Sequence, residues 1–198
     1  MVVFDQYQDI MFITGMAASG KTTLTKHYCK SIDRLIAVDP CWNLGDIGYI
    51  VHYPERIAPA FNQFRKVIYQ PEYQDKIHDT QAFDEIKKLS NFTLIIDEVD
   101  SYAAPRWYIC DSLKSIIRKG RNTGKGIICN TRRPHNIHND IRSNPSFVIC
   151  FTLPEETDYK YMAKWLSIEP EKIQHLAWHW SFVYTVKERK LELKEPLF

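Results

Sequence analysis

Eight residues near the start of the chain carry a recognisable chemistry: Gly15, Met16, Ala17, Ala18, Ser19, Gly20, Lys21 and Thr22. They read G-x-x-x-x-G-K-T, the pattern of a loop that cradles phosphates. Its glycines let the backbone turn tightly, so that successive N–H groups point at anionic oxygens. Lys21 is expected to reach the β- and γ-phosphates of a nucleotide. The Thr22 hydroxyl is expected to ligate Mg²⁺, and Thr23 to continue the nucleotide-binding segment. The second constellation is Thr93-Leu94-Ile95-Ile96-Asp97-Glu98, an apolar strand delivering two carboxylates at its end. Asp97 is the candidate metal ligand and Glu98 the candidate base that orients and deprotonates an attacking water. Asp100 reads as a solvated neighbour.

A third constellation is basic. Arg118-Lys119-Gly120-Arg121 precedes a strand that runs into Asn130-Thr131-Arg132-Arg133-Pro134. Asn130, Thr131 and Arg132 stand where a strand end can present a sensor to a γ-phosphate. Arg121, ahead of Arg118, is a candidate arginine finger for a neighbouring subunit's site, and the plain alternative is a basic helix end complementing the helix dipole. Arg132, Arg133 and Arg142, with His135 and His138, form a basic polar stretch suited to sequence-independent phosphate contacts with DNA, and a solvated loop is the competing reading. His175 and His179 stand four apart on an expected helix, but with no H-E-x-x-H pattern and no third ligand no metal site is expected there.

These groups need a scaffold. Apolar runs of strand length at 10–14, 35–38, 66–69, 92–96, 126–130, 147–151 and 181–186 alternate with helical patterns, and 49–53 reads as a further short strand. This predicts an α/β fold, a P-loop NTPase of RecA/ASCE type with a mostly parallel sheet flanked by helices. The whole chain, 1–198, is expected to be one domain, with 187–198 an edge strand or packing arm. Helices are expected over 107–119, 155–166 and 170–178, around Phe83, Ile86 and Leu89 after a polar loop at 72–80, and a loop over 101–105. Extra strand material between the two motif strands, together with Glu98, fits the branch in which a glutamate activates water. No D-x-x-G follows the strand and no N-K-x-D occurs, which favours ATP over GTP.

Composition sets bounds. The 198 residues suffice for one α/β domain, and 44% hydrophobic with 25% charged residues is ordinary for a soluble protein. A formal net charge of +2 is too small to argue for nucleic acid from bulk charge. Five cysteines without a C-x-x-C pair suggest a reducing compartment without disulfides or structural zinc. The N-terminus does not read as a signal peptide, and no apolar run has the length of a membrane span.

Five features recur in one order: Asp39-Pro40, Tyr69-Gln70-Pro71-Glu72, Asp97-Glu98, G-R-x-x-G at 120–124 and T-R-R-P at 131–134. Together with Gly15–Thr22 they resemble the HerA/FtsK superfamily of DNA-pumping ATPases, most of all the small genome-packaging ATPases of archaeal turreted icosahedral viruses. The resemblance runs from the P-loop through the last strand. It implies a homo-oligomeric ring, a hexamer, that hydrolyses ATP with Mg²⁺ and moves double-stranded DNA into a preformed capsid. It also implies docking on capsid vertex proteins and work in the host cytoplasm, with retention in the virion left open. It matches Asp97 and Glu98 to the family's Walker B pair and Arg121 to its finger arginine. One position departs: the sensor segment of the family usually reads T-Q-R, and here the glutamine position is Arg132. A nucleotide kinase and an ATP-dependent switch module are the alternatives. Glu98 argues against the kinase, which must exclude water rather than activate it.

Overall fold

Runs such as Ile10–Thr14 and Phe92–Ile96 are apolar at almost every position, so neither of their faces can meet water, and both are buried throughout. They stand in the interior of a sheet in a computed structural model that describes residues 2–104 and 108–197. In chain order the elements are β1 (Ile10–Thr14), α1 (Lys21–Ser31), β2 (Leu35–Val38), β3 (Tyr49–Val51), α2 (Ile57–Gln63), β4 (Lys66–Tyr69), α3 (Lys76–Lys88), β5 (Phe92–Ile96) and α4 (Asp100–Ala103). There follow α5 (Asp111–Lys119), β6 (Lys125–Thr131), α6 (Asn139–Ser143), β7 (Phe147–Cys150), α7 (Glu156–Leu166), α8 (Pro170–Gln174), β8 (Ser181–Thr185) and β9 (Lys190–Lys194).

The sheet has nine strands in the order β3-β4-β2-β5-β6-β1-β7-β8-β9. All neighbours from β3 to β7 pair in parallel, and β8 and β9 are added antiparallel. Parallel pairing gathers the carboxyl ends of β1, β2, β5 and β6 at one edge, where a doubly wound sheet places its ligand site. Side chains alternate between two apolar layers. Phe12, Ile36, Leu94 and Ile127 enter the layer that includes Phe83 of α3, Ile116 of α5 and Met162 of α7. Met11, Ile13, Ala37 and Ile95 enter the layer that includes Leu24, Tyr28 and Cys29 of α1. All five cysteines are free thiols.

The strand that stands between β1 and β5 is β6, which follows Asp97 in the chain. The strands at 35–38 and 66–69 lie beyond β5, so spacing along the sequence does not name the strand that separates the motifs. Several boundaries differ from expectation. Residues 101–103, expected as loop, complete α4, because Val99, Tyr102 and Ala103 bury their side chains and the Ala103 N–H donates to the Val99 carbonyl. Helix α5 starts at Asp111, with Cys110 extended before it; the expected start at Trp107 and the end of the expected loop at Pro105 lie outside the described residues. Helix α3 starts within the expected polar loop, because the Asp75 carboxylate accepts from the Ile77 and His78 N–H groups and caps it. Helix α8 stops at Gln174, so His175 and His179 do not share a helix.

Candidate functional site

The loop Gly15–Gly20 joins the end of β1 to the start of α1. Gly15 is set by close approach: a Cβ there would stand 2.6 Å from both the Phe151 Cβ and the Ser19 Oγ. Gly20 has φ +111 in the left-handed region, which glycine adopts without strain. The helix it opens has no side-chain cap and no acidic residue in its first turn. Its N–H groups and positive dipole end are therefore directed to the loop without a built-in anion. Lys21 folds back, its Nζ donating to the carbonyl oxygens of Gly15 (2.8 Å) and Met16 (2.9 Å). Burial and the nearby Arg132 lower its pKa, while the Glu98, Asp97 and Asp100 carboxylates act the other way.

At the end of β5 both carboxylates are buried, Asp97 at 2% and Glu98 at 9% exposure. Asp97 is held by two side-chain amides. Asn130 Nδ2 donates to its Oδ1 at 2.9 Å, and Asn43 Nδ2 to its Oδ2 at 3.2 Å. The Asn130 Oδ1 in turn accepts from Thr25 Oγ1 at 3.1 Å. A continuous chain thus joins α1, the interposed strand β6 and the carboxylate of β5.

Glu98 occupies the left-handed region at φ +49, which costs a non-glycine residue about 1 kcal/mol. The turn is held by the Val99 N–H on the Asn130 carbonyl (2.7 Å) and the Ser101 N–H on the Glu98 carbonyl (2.9 Å). It carries the Glu98 carboxylate to Arg132, whose Nε donates to Oε1 at 2.7 Å. Burial, then Asp100, pushes the Glu98 pKa up, and Arg132 opposes that rise. Asp100 is not a free solvated neighbour, because its Oδ1 accepts from Thr131 Oγ1 at 2.9 Å.

The remaining sequence candidates scatter. Thr131 is fully buried, and its Oγ1 also accepts from the Arg133 N–H. Arg133 lies 3.5 Å from Asp158 and 3.7 Å from Glu155. Arg142 donates to Asn139 Oδ1 and lies over the Tyr161 ring. His135 Nδ1 stands 2.6 Å from Asp158, and His138 Nδ1 3.5 Å from Asp140. Acidic partners thus accompany much of the basic stretch. Arg121 lies just ahead of β6, at the amino edge of the sheet, where its Nη2 donates to the Asn144 carbonyl (3.1 Å) and Ser146 Oγ (3.2 Å). A five-residue strand spans about 17 Å, so Arg121 is remote from its own P-loop.

Two groups of residues escaped sequence reasoning. The first builds the loop that presents Asn43. Asp39, fully buried, accepts from the N–H groups of Asn43 (2.9 Å) and Leu44 (2.8 Å) and from Gln70 Nε2 (3.0 Å). Asp39 and Gln70 were visible as recurring motif residues, but nothing in the sequence assigned them this role. The second is Phe151 and His179 against the P-loop, with the Met16 N–H donating to the Thr152 carbonyl at 2.9 Å.

The donor set suits Mg²⁺, which takes one or two carboxylates together with phosphate oxygens and water rather than a full protein cage. Among the described residues no three His, Cys, Asp or Glu side chains form a cage. Thr22 in the first turn of α1 and Asp97, held by amides rather than by a cation, supply hard oxygens. The buried Thr14 Oγ1 and Ser19 Oγ beside the loop have no partner among the described residues, as at a site built for a polar ligand.

A glycine loop between a buried strand and α1, with an acidic pair two strands away across β6, defines the P-loop NTPase fold. Particular structures share it nearly end to end. The genome packaging NTPase B204 from Sulfolobus turreted icosahedral virus 2, in complex with AMPPCP, matches with a TM-score of 0.79 at 21% identity, covering 96% of this chain and 98% of that one. B204, the DNA-packaging ATPase from Sulfolobus Turreted Icosahedral Virus, matches at 0.78 and 22% identity, covering 98% and 100%. VirB4 of Thermoanaerobacter pseudethanolicus matches at 0.69 and 7%, covering 100% and 92%. At these identities the likeness is one of fold. No protein-family model and no curated protein sequence matches the chain.

Proposed function

We propose that the chain is an ATPase of the HerA/FtsK type that hydrolyses ATP with Mg²⁺ and moves double-stranded DNA into a viral capsid as a homo-oligomeric ring. The observation that carries this reading is the fold likeness to a genome packaging NTPase over 96% of this chain and 98% of that one, with little of either chain left outside it. The P-loop and the Asp97–Glu98 pair at one sheet edge supply the chemistry the reading needs.

In this reading the N–H groups of Gly15–Thr22 hold the phosphates, and Lys21 leaves the Gly15 and Met16 carbonyls to meet the β- and γ-oxygens. Thr22 and Asp97 would hold Mg²⁺, which when bound neutralises charge on the phosphate oxygens. Glu98 accepts the proton of the attacking water, and its burial gives it a basicity suited to that step. Asn130 ties α1 to Asp97, so a shift of the helix on nucleotide binding is felt at the carboxylates. Arg121 acts on a neighbouring subunit's nucleotide, since its own is out of reach. Arg132, Arg133 and Arg142 are the candidates for contact with the DNA backbone.

The test is steady-state phosphate release from ATP, with and without linear double-stranded DNA, at protein concentrations that span assembly. Stimulation by DNA that rises steeply with protein concentration is the expected result. A rate independent of both removes the translocase reading and leaves an ATPase. Label transferred to a nucleoside monophosphate instead of free phosphate replaces it with a kinase.

A further inference from the structure

The loop that follows β2 carries an exposed tryptophan at the rim of the site. Trp42 is 60% exposed and stands in the left-handed region at φ +58, a conformation that bulky residues rarely adopt and that costs about 1 kcal/mol. Its ring leans on His52, with centroids 5.6 Å apart. The next residue is Asn43, whose N–H is fixed on Asp39 and whose side chain reaches Asp97 at 3.2 Å, the long end of the hydrogen-bond range. The rim is electronegative: the neighbouring Cys41 thiol is pushed up by burial and then by the Glu98 and Asp97 carboxylates, with Arg132 opposing. The opposite edge of the sheet has the opposite sign. Helices α1, α3 and α5 end there with Lys30, Lys87, Lys88, Arg118 and Lys119 in their last turns, and Arg121 follows.

We propose that Trp42 is the anchor on which a second copy of this chain sets its basic amino edge, and that Asn43 passes the contact to Asp97. The proposal rests on the ring reading above. A copy that brings Arg121 to this nucleotide stands over this carboxyl edge, and the cationic end of its α5 travels with Arg121. Opposite charges steer the two edges together. An indole offers a cation its electron-rich face, and tryptophan and arginine are prominent among the residues that anchor interfaces. Backbone strain of this kind gathers at clamps and switches, and cover by a partner offsets it. The loop is then fixed from outside, and the Asn43 amide is held on one oxygen of the carboxylate expected to meet the metal.

Cys41 reports the contact, because it is exposed beside Trp42 whereas Cys29, Cys129 and Cys150 are buried. The full chain is held at a fixed, saturating concentration of a non-hydrolysable ATP analogue, over protein concentrations that span assembly. Modification of Cys41 by an aromatic disulfide reagent is read by peptide mass, and self-association by sedimentation velocity. Modification is expected to slow at least about tenfold on assembly, with the assembly midpoint at least about tenfold higher in Trp42→Ala and mostly recovered in Trp42→Phe. Asn43→Ala is expected to assemble like the unaltered protein and to lose about 10- to 100-fold in kcat, with KM for ATP kept. Assembly that leaves Cys41 equally reactive, or an unshifted midpoint in folded Trp42→Ala, overturns the anchor, and full turnover in Asn43→Ala overturns the link to Asp97. Protection of Cys41 by double-stranded DNA while the protein stays unassembled gives the surface to nucleic acid instead. A protein that binds the analogue and never self-associates overturns the ring reading, and this proposal with it.

Discussion

Replacing Arg132 by Gln, the residue the resembling family carries there, separates its hold on Glu98 from any direct contact with phosphate. In the structure the Arg132 Nε lies 2.7 Å from Glu98 Oε1, with the arginine side chain 49% exposed and the glutamate 12%. Two unit charges about 4 Å apart attract by about 4 kcal/mol at an effective dielectric constant of about 20. Half-exposure of the guanidinium admits water and screens this to about 1 kcal/mol. Burial and Asp100 already push the Glu98 pKa upward, and Arg132 restrains it. Removing the charge therefore lets it climb further. A general base works only when deprotonated, so the acid limb of kcat moves to higher pH in Arg132→Gln and stays in place in Arg132→Lys. The assay is phosphate release at saturating Mg·ATP across pH, taken as the ratio of variant to unaltered rates so that titration of the nucleotide cancels. The high-pH plateau reports any direct contact of Arg132 with phosphate, and the position of the limb reports its hold on Glu98. An acid limb that does not move in Arg132→Gln refutes the assignment of Glu98 as the titrating base held by Arg132.

Glu98→Gln keeps the shape of the site and loses the base, so ATP binding by calorimetry is retained while turnover falls by at least about 10²-fold; comparable turnover would place the base elsewhere. Arg121→Ala gives up contacts with Asn144 and Ser146 at an exposed position, so stability changes by less than about 0.5 kcal/mol. Turnover in the assembled form is expected to drop about 10³-fold with ATP affinity kept, and an assembled variant hydrolysing at full rate excludes the finger. Asp79 has a buried Oδ1 without a partner among the described residues, and burial, then the Asp75 charge, pushes its pKa up to about 6. The folded protein binds that proton more tightly than the unfolded chain, whose aspartates titrate near 4, so the penalty is absent below pH ~4 and complete above ~6. Asp79→Asn should therefore raise thermal stability at pH 7.5 by about 2 kcal/mol and not at pH 4; an equal gain at both values would show that the charge is not the cause.

What sequence reasoning could read follows from how local each signal is. Strands β1, β2, β4 and β5 announce themselves because a strand buried on both faces must be apolar throughout, and flanking polar residues mark its ends. Helix boundaries were less legible because tertiary contacts set them. Residues 101–103 become helical because Tyr102 and Ala103 pack into the core, and α8 stops at Gln174, ahead of the turn that brings His179 against the P-loop. The order of strands was invisible for the same reason: nothing along the chain says that β6, rather than an earlier strand, enters between β1 and β5.

The site divides along the same line. The P-loop and the Asp97–Glu98 pair are contiguous, so their chemistry is written in one stretch each. The residues that hold them are not: Thr25, Asn43, Asp97 and Asn130 are spread over more than half the chain, and only the parallel sheet brings them into one line of hydrogen bonds. This line gives Asp39-Pro40 and Gln70 a physical reason to stand where they do. Asp39 lies beyond the end of β2 and Gln70 beyond the end of β4, adjacent parallel strands, and their hydrogen bond fixes the loop that carries Asn43 to Asp97. A carboxylate clamped by two neutral amides, one on each oxygen, loses its freedom to turn. Such restraint suits a ligand for a hard cation, and a counter-cation in place of either amide would compete with one.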